Sequence, residues 1–216
     1  SHRLPGKAML PVLGFPFSIL SGLRAANKGR EVTLVTTKTQ SDDLLAQTAL
    51  AAGLKVFRGE VDDVRKRIID ACADLRKDAI IVRLTGDNLF PDGELIDIFI
   101  EHFLNSDRIL TSTKNSGLPY GLSIEVLHLK TLVESEEWSD STSDSEHVTP
   151  AIYRKFKHTF PNLPEMSPLL SQYSCTVDTL TDYKKILKVF SETLTPTTIS
   201  WRDLIKILVS QNSQKN

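Results

Sequence analysis

The chain has 216 residues, 40% of them hydrophobic, with 26 basic and 27 acidic side chains and a formal net charge of −1. That length and apolar content suffice for one sizeable core and exclude intrinsic disorder. The near-neutral balance provides no basic field, so no nucleic-acid partner is implied, and any phosphate site must be a local gathering of Arg and Lys for a small partner.

The chain opens with Ser1-His2-Arg3-Leu4-Pro5-Gly6-Lys7, which suits a polyphosphate. Backbone N–H groups around Gly6 can approach phosphate oxygens, Arg3 can fork onto two of them, and Lys7 supplies a mobile point charge. The alternative is a basic arm with a turn at Pro5-Gly6. From Glu31 to Thr37 the β-branched residues predict a buried strand, followed by a helix from Ser41 to Ala52 that Gly53 closes. A short strand (Leu54 to Phe57), an amphipathic helix (Val61 to Leu75) and a strongly apolar strand (Ala79 to Thr85) come next. Such alternation predicts an α/β fold with a mostly parallel sheet and helices on both faces, and ligands at the strands' carboxyl ends.

A helix is expected over Asp92–Leu104, then strands at Ile109–Ser112 and Leu122–His128, joined by a Gly/Pro/Asn-rich loop from Lys114 to Gly121 that we expect to be functional. The acidic, Ser-rich stretch Glu134 to Ser145 reads as an exposed linker or flap. Helical spacing resumes from His147 to Phe156, and Tyr173 to Val177 reads as a strand. Thr181 to Phe190 is predicted helical, Ser200 N-caps a last helix reaching Val209, and the closing residues read as a frayed tail. The two cysteines, Cys72 and Cys175, lack a metal-ligand rhythm and are expected to be reduced core thiols. No apolar run of roughly eighteen residues and no signal-peptide pattern occurs, so no membrane association is expected and the cytoplasm is the expected compartment. An upstream leader stays open.

Asp87 follows Thr85-Gly86 at the end of the most apolar strand, and Asp178 follows Thr176-Val177 just before a helix. Both stand where α/β sheets bind ligands. A hard cation such as Mg²⁺ takes one or two carboxylates plus phosphate oxygens and water, so the two aspartates are metal-ligand candidates. Each could instead be an ordinary turn or N-cap aspartate.

Five segments occur in an order that resembles a known family: Arg3-Leu4-Pro5-Gly6-Lys7, Arg83-Leu84-Thr85-Gly86-Asp87, Gly121-Leu122-Ser123-Ile124-Glu125-Val126, Glu146-His147-Val148-Thr149-Pro150 and Thr176-Val177-Asp178-Thr179-Leu180-Thr181-Asp182. They are similar to the cytidylyltransferases that activate acidic sugars, in the spore-coat polysaccharide branch related to the 3-deoxy-manno-octulosonate and acylneuraminate enzymes. The resemblance covers Ser1 to about Phe190. It implies a Rossmann-like nucleotidyltransferase fold that takes CTP and a sugar and forms a CMP-sugar and pyrophosphate with Mg²⁺. By the same resemblance Arg3 and Lys7 would grip the triphosphate, Ser1, Gly6 and Gly86 would also bind the nucleotide, and Thr36, Thr37 and Arg83 would border the cytidine. Asp87 and Asp178 would hold the metal, with Lys7 counted among the catalytic groups. Tyr120, Glu125, Glu146 and His147 would face the sugar, and residues 114–156 would form a sugar-site and homodimer subregion within a single domain, 1–216. For His147 the alternative is a helix-start residue, and for Glu125 a solvated strand face.

Some positions depart from the family pattern. Its first apolar strand and an Ala/Ser-Arg step would lie just upstream of Ser1, so a central strand is expected to be missing and an apolar trough left in its place. Tyr120 and Ser123 replace acidic residues, and Ser145 and Ser174 stand where related chains often carry Arg, which points to an atypical or less acidic acceptor. Two competing functions follow: a nucleotide-binding homologue without turnover, or a nucleotidyltransferase using another NTP or a sugar 1-phosphate.

Overall fold

The computed structural model describes residues 3–213. The chain begins with a small hairpin, β1 (Pro11–Val12) and β2 (Phe15–Pro16), and a helix, α1 (Phe17–Ala25). The β-branched run Thr33–Thr37 forms β3, and after the helix α2 (Asp43–Ala51) the chain returns as β4 (Lys55–Gly59), paired parallel with β3 in the register Thr33↔Lys55 to Thr37↔Gly59. Gly53 ends that helix with φ 85°, a left-handed backbone open to glycine. Helix α3 (Val64–Ala71) leads to β5 (Ile80–Leu84), and α4 (Gly93–Leu104) leads to β6 (Leu110–Ser112). Next come β7 (Ile124–His128), α5 (Leu129–Glu134), α6 (Thr142–His147), α7 (Pro150–Lys155), α8 (Leu180–Phe190) and α9 (Trp201–Ser213). None of the described helices is long and apolar enough to cross a membrane.

The expected parallel pairing is present for β3 and β4, whereas β5, β7 and β6 form an antiparallel sheet in that order. The reason lies in the connections. β6 reaches β7 through a loop with no helix, and only a crossover could make that pair parallel. β5 and β6 are both antiparallel to β7, so they run the same way, as their α4 crossover requires. Successive residues of β7 serve opposite faces. Ile124 and Val126 join the main core with Phe17, Phe90, Phe99, Phe190 and Trp201, whereas Leu127 joins Leu110, Leu132, Val148 and Ile152 in a second cluster.

Four sequence expectations are corrected. The helix predicted over residues 147–156 is broken: α6 stops at His147, Val148 turns out of the helix at φ 73°, and α7 starts afresh with Pro150 in its first turn, where a missing amide costs no intrahelical bond. The strand predicted at Tyr173–Val177 is only two isolated bridges, Tyr120↔Ser174 and Asn88↔Thr176, because it pairs with two different segments in turn. The acidic stretch 134–145 is tied down rather than free. Its Ser135 and Asp144 are buried, Arg154 forks onto both oxygens of Asp144 at 2.9 and 2.7 Å, and Arg65 donates to the Ser135 carbonyl and the Ser139 hydroxyl. The last helix continues past Val209 to Ser213, with Ser200 Oγ accepting from the Asp203 amide at 3.1 Å as its cap.

One face of α1 is polar at intervals of three. Ser18 donates to the Gly86 carbonyl at 3.2 Å, Ser21 to that of Asn88 at 2.9 Å, and Arg24 to those of Leu89 and Phe90 at 2.5 and 3.0 Å. Arg24 also reaches the carbonyls of Pro196 (2.8 Å) and Ile199 (2.9 Å) and is fully buried. Burial draws its pKa down to about 10, against the pull of Asp92, so it stays protonated at neutral pH. Asp92 accepts the Leu95 amide at the start of α4 and the Trp201 amide at the start of α9. Arg24→Met removes the shared donor and strands four buried carbonyls, and is expected to cost about 3–5 kcal/mol in urea denaturation. Arg24→Lys is expected to recover only a fraction, because an ammonium cannot fork across those carbonyls.

Candidate functional site

Leu4 is buried and anchors the amino-terminal loop, and Gly6 turns it through a left-handed conformation, φ 68° and ψ 13°. The turn directs the Lys7 ammonium to three acceptors: the Val177 carbonyl at 2.7 Å, Asp178 Oδ1 at 3.4 Å and Asp87 Oδ2 at 3.5 Å. Arg3 lies 3.1 Å from the other Asp178 oxygen. The Lys7 side chain is 15% exposed, against 31% and 33% for Asp87 and Asp178, so the carboxylates face solvent over a sunken ammonium.

Backbone stitching brings the two aspartates together. Asn88 bridges Thr176, the Val177 amide donates to the Asp87 carbonyl at 3.1 Å, and Thr176 Oγ1 donates to Asn88 Oδ1 at 2.8 Å. Gly121 has φ 107°, and a Cβ there would come within 2.6 Å of the Thr176 amide nitrogen, so this turn beside the junction admits only glycine. The cap alternative for Asp178 is overturned. The N-cap of α8 is Thr179, in a capping box with Asp182, which leaves the Asp178 carboxylate to Arg3 and Lys7. The α4 cap is Asp92, not Asp87.

The donor set suits a hard cation. Two carboxylates within reach of one ammonium position are oxygen ligands of the kind Mg²⁺ takes, with phosphate oxygens and water completing its shell. Among the described residues no group of three or more His, Cys, Asp and Glu gathers for a metal, so a cation here would need those extra ligands.

The remaining candidates fall elsewhere. Gly86 is exposed beside Asp87, and Tyr120, 69% exposed, borders the junction through backbone bonds to Tyr173 and Cys175. Thr36 and Thr37 end β3, with both hydroxyls donating to Asp42 Oδ2 at 2.6 Å. Arg83 and Glu125, expected on the cytidine and sugar sides, are register partners across β5 and β7 and form an ion pair at 2.6 Å. Glu125 is buried and accepts from Thr149 at 2.8 Å and Tyr153 at 3.0 Å, so it is no solvated strand face. Burial and then Glu125 push the Tyr153 pKa up. Glu146 and His147 end α6 with exposed side chains, near this network through Thr149. Ser1 lies outside the described residues. Sequence reasoning missed Asp42 and Arg58. Their signal is Thr36-Thr37 followed by an acid five residues on, with a cation on the parallel partner strand, where Arg58 donates to the carbonyls of Thr37 (2.9 Å) and Thr39 (2.8 Å).

A family model described as cytidylyltransferase matches residues 1–196. The chain is 30% identical over 221 residues to the spore coat polysaccharide biosynthesis protein SpsF of Bacillus subtilis, covering 96% of this chain and 89% of that one. A cytidylyltransferase structure from Leptospira borgpetersenii superposes with a TM-score of 0.88 at 29% identity, covering 99% of this chain and 91% of the other. A CMP:2-keto-3-deoxy-manno-octonic acid synthetase solved in complex with CTP superposes with a TM-score of 0.60 at 14% identity, over 89% and 94%. These likenesses make the fold that of the Rossmann-like nucleotidyltransferases.

The Asp42 contact generates a pH dependence. Burial opposes ionisation of Asp42, but hydrogen bonds from Thr36, Thr37 and the Thr37 amide, with Arg58 nearby, prevail and hold its pKa below the usual carboxylate value. Its stabilisation is therefore complete above the unfolded-state pKa of about 3.9 and is lost as the pH falls through the lower folded-state value. Asp42→Asn should cost about 1–2 kcal/mol at neutral pH, and urea titrations at successively lower pH should show the gap from wild type closing. A gap independent of pH would assign the effect to packing.

Proposed function

This chain belongs to the cytidylyltransferase family, enzymes that transfer nucleotidyl groups, and we propose that it moves the cytidylyl group of CTP onto a sugar hydroxyl. The acceptor oxygen bonds to the α-phosphorus, the bond to the leaving pyrophosphate breaks, and the hydroxyl proton is released. The products are a CMP-sugar and pyrophosphate.

The observation that carries this reading is the convergence of Lys7, Asp87 and Asp178, with Arg3 beside them. Phosphoryl-type transfer asks little covalent work of a protein and depends on in-line positioning and charge neutralisation. Arg3 and Lys7 would grip the triphosphate. Asp87 and Asp178 would hold Mg²⁺, which when bound supplies charge neutralisation and polarises the attacking hydroxyl. In its present pose Lys7 compensates the two carboxylates, and a triphosphate offers the same ammonium a denser set of oxygens. Tyr120, the exposed aromatic bordering the aspartate junction, would cover the sugar. An acceptor of the ulosonic or related acidic-sugar class is supported by the synthetase among the structural neighbours, and a role in making a polysaccharide by the spore-coat relative's name.

Isothermal titration of CTP with Mg²⁺, with GTP, UTP and ATP as competitors, tests the reading. CTP should be preferred, and Asp87→Asn should lose the Mg²⁺ dependence of binding. In pyrophosphate-release assays with ulosonic acids, Lys7→Met should lower the rate about 10²–10³-fold. Failure to bind any nucleotide would sink the proposal.

A further inference from the structure

The loop between β6 and β7 starts at the end of the sheet where β5 delivers Asp87. Ser112, Glu125 and Arg83 share one row across β6, β7 and β5. The Thr113 amide extends the pairing by donating to the Ile124 carbonyl at 3.1 Å, and Ile124 lies opposite Leu84. Lys114 therefore leaves β6 level with Thr85, just before Asp87, and its loop runs on to Tyr120 and Gly121 at the aspartate junction. The Lys114 ammonium lies over the Tyr153 ring, 4.2 Å from the centroid.

Both the ring and the lysine backbone are fixed. Tyr153 donates to Glu125 at 3.0 Å and so accepts from Ser112 at 2.5 Å, while His158 packs edge-on against it with centroids 5.2 Å apart. The Lys114 amide donates to Ser112 Oγ at 3.1 Å, its carbonyl accepts from His158 Nε2 at 2.7 Å, and the chain turns at Asn115 with φ 57°. An ordinary solvated lysine needs no such shelf. Among the described residues no carboxylate pairs with this ammonium. A cation held in place without a counter-charge is a preorganised contact for an anion.

We propose that Lys114 is a specificity-determining residue of the acceptor site, donating to the carboxylate of an acidic sugar. The proposal rests on the cytidylyl-transfer reading. Arg3 and Lys7 face the aspartates and, in that reading, the triphosphate, so the acceptor's charge needs a cation of its own, and Ser145 and Ser174 carry none. Glu125, expected to face the sugar, is occupied with Arg83, Thr149 and the Tyr153 hydroxyl. A carboxylate acceptor is thus met by the lysine on the shelf rather than by the acid beneath it.

The test is calorimetric titration of 3-deoxy-manno-octulosonate and of its neutral carboxamide, with CTP and EDTA present so that no divalent cation supports transfer. Wild type should bind the acid more tightly than the amide. Lys114→Met should weaken binding of the acid at least about tenfold while the amide binds as before, and Lys114→Arg should restore most of the difference. Loss of both sugars together, or a wild type that binds the two equally or not at all, overturns the inference. Titration of CTP alone separates this outcome from failure of the transfer reading. CTP binding without a charge-selective effect of Lys114 strikes only the inference, and acid-selective binding through Lys114 without CTP binding strikes only the transfer reading.

Discussion

A guanidinium taken fully out of water must find its hydrogen bonds inside the protein, and Arg24 finds four carbonyl partners from two distant segments. Two of these carbonyls, Leu89 and Phe90, directly follow the segment that carries Asp87, and the other two belong to the approach to α9. With Ser18 and Ser21 on the same helical stripe, α1 holds each turn of the 86–90 segment in place. That segment cannot slide without breaking a buried charge contact. The position of Asp87 is thus set from behind by α1, while its carboxylate faces solvent in front.

The front of the site is balanced by charge. Arg3 and Lys7 meet Asp87 and Asp178, two cations against two anions, so the cluster is neutral as it stands. Neither carboxylate is committed to capping a helix, because Thr179 with Asp182 and Asp92 take those tasks. The fold thereby keeps the two acids available while satisfying the helix ends beside them. Arg83 and Glu125 illustrate the opposite use of charge. They sit opposite each other in the register and spend their hydrogen bonds on each other and on Thr149 and Tyr153.

The contrast explains what could be read in the sequence. Asp87 and Asp178 were legible because each ends a β-branched or apolar run, a local pattern with a direct structural meaning. Lys7 was legible through its glycine-containing loop. The Arg83–Glu125 pair was not, since partnership across a sheet depends on a register that no local pattern encodes. Arg24 escaped for a similar reason: its partners are backbone carbonyls, which carry no residue identity. The acidic stretch around Asp144 read as a solvated linker because its neutralising partner, Arg154, lies ten residues on, in the separate proline-started helix α7. The antiparallel β7 was obscured by a strand so apolar on both faces that it matched a buried parallel one.

The Lys7 contacts span 80 residues to Asp87 and 171 to Asp178. Contacts that close loops of such length become favourable only after nearer elements have packed, since chain entropy opposes them until then. The aspartate cluster therefore completes late in folding and opens early in unfolding. A chain that has collapsed and gained its helices can still lack the site, so recovery of nucleotide binding is a stricter index of refolding than recovery of helical content.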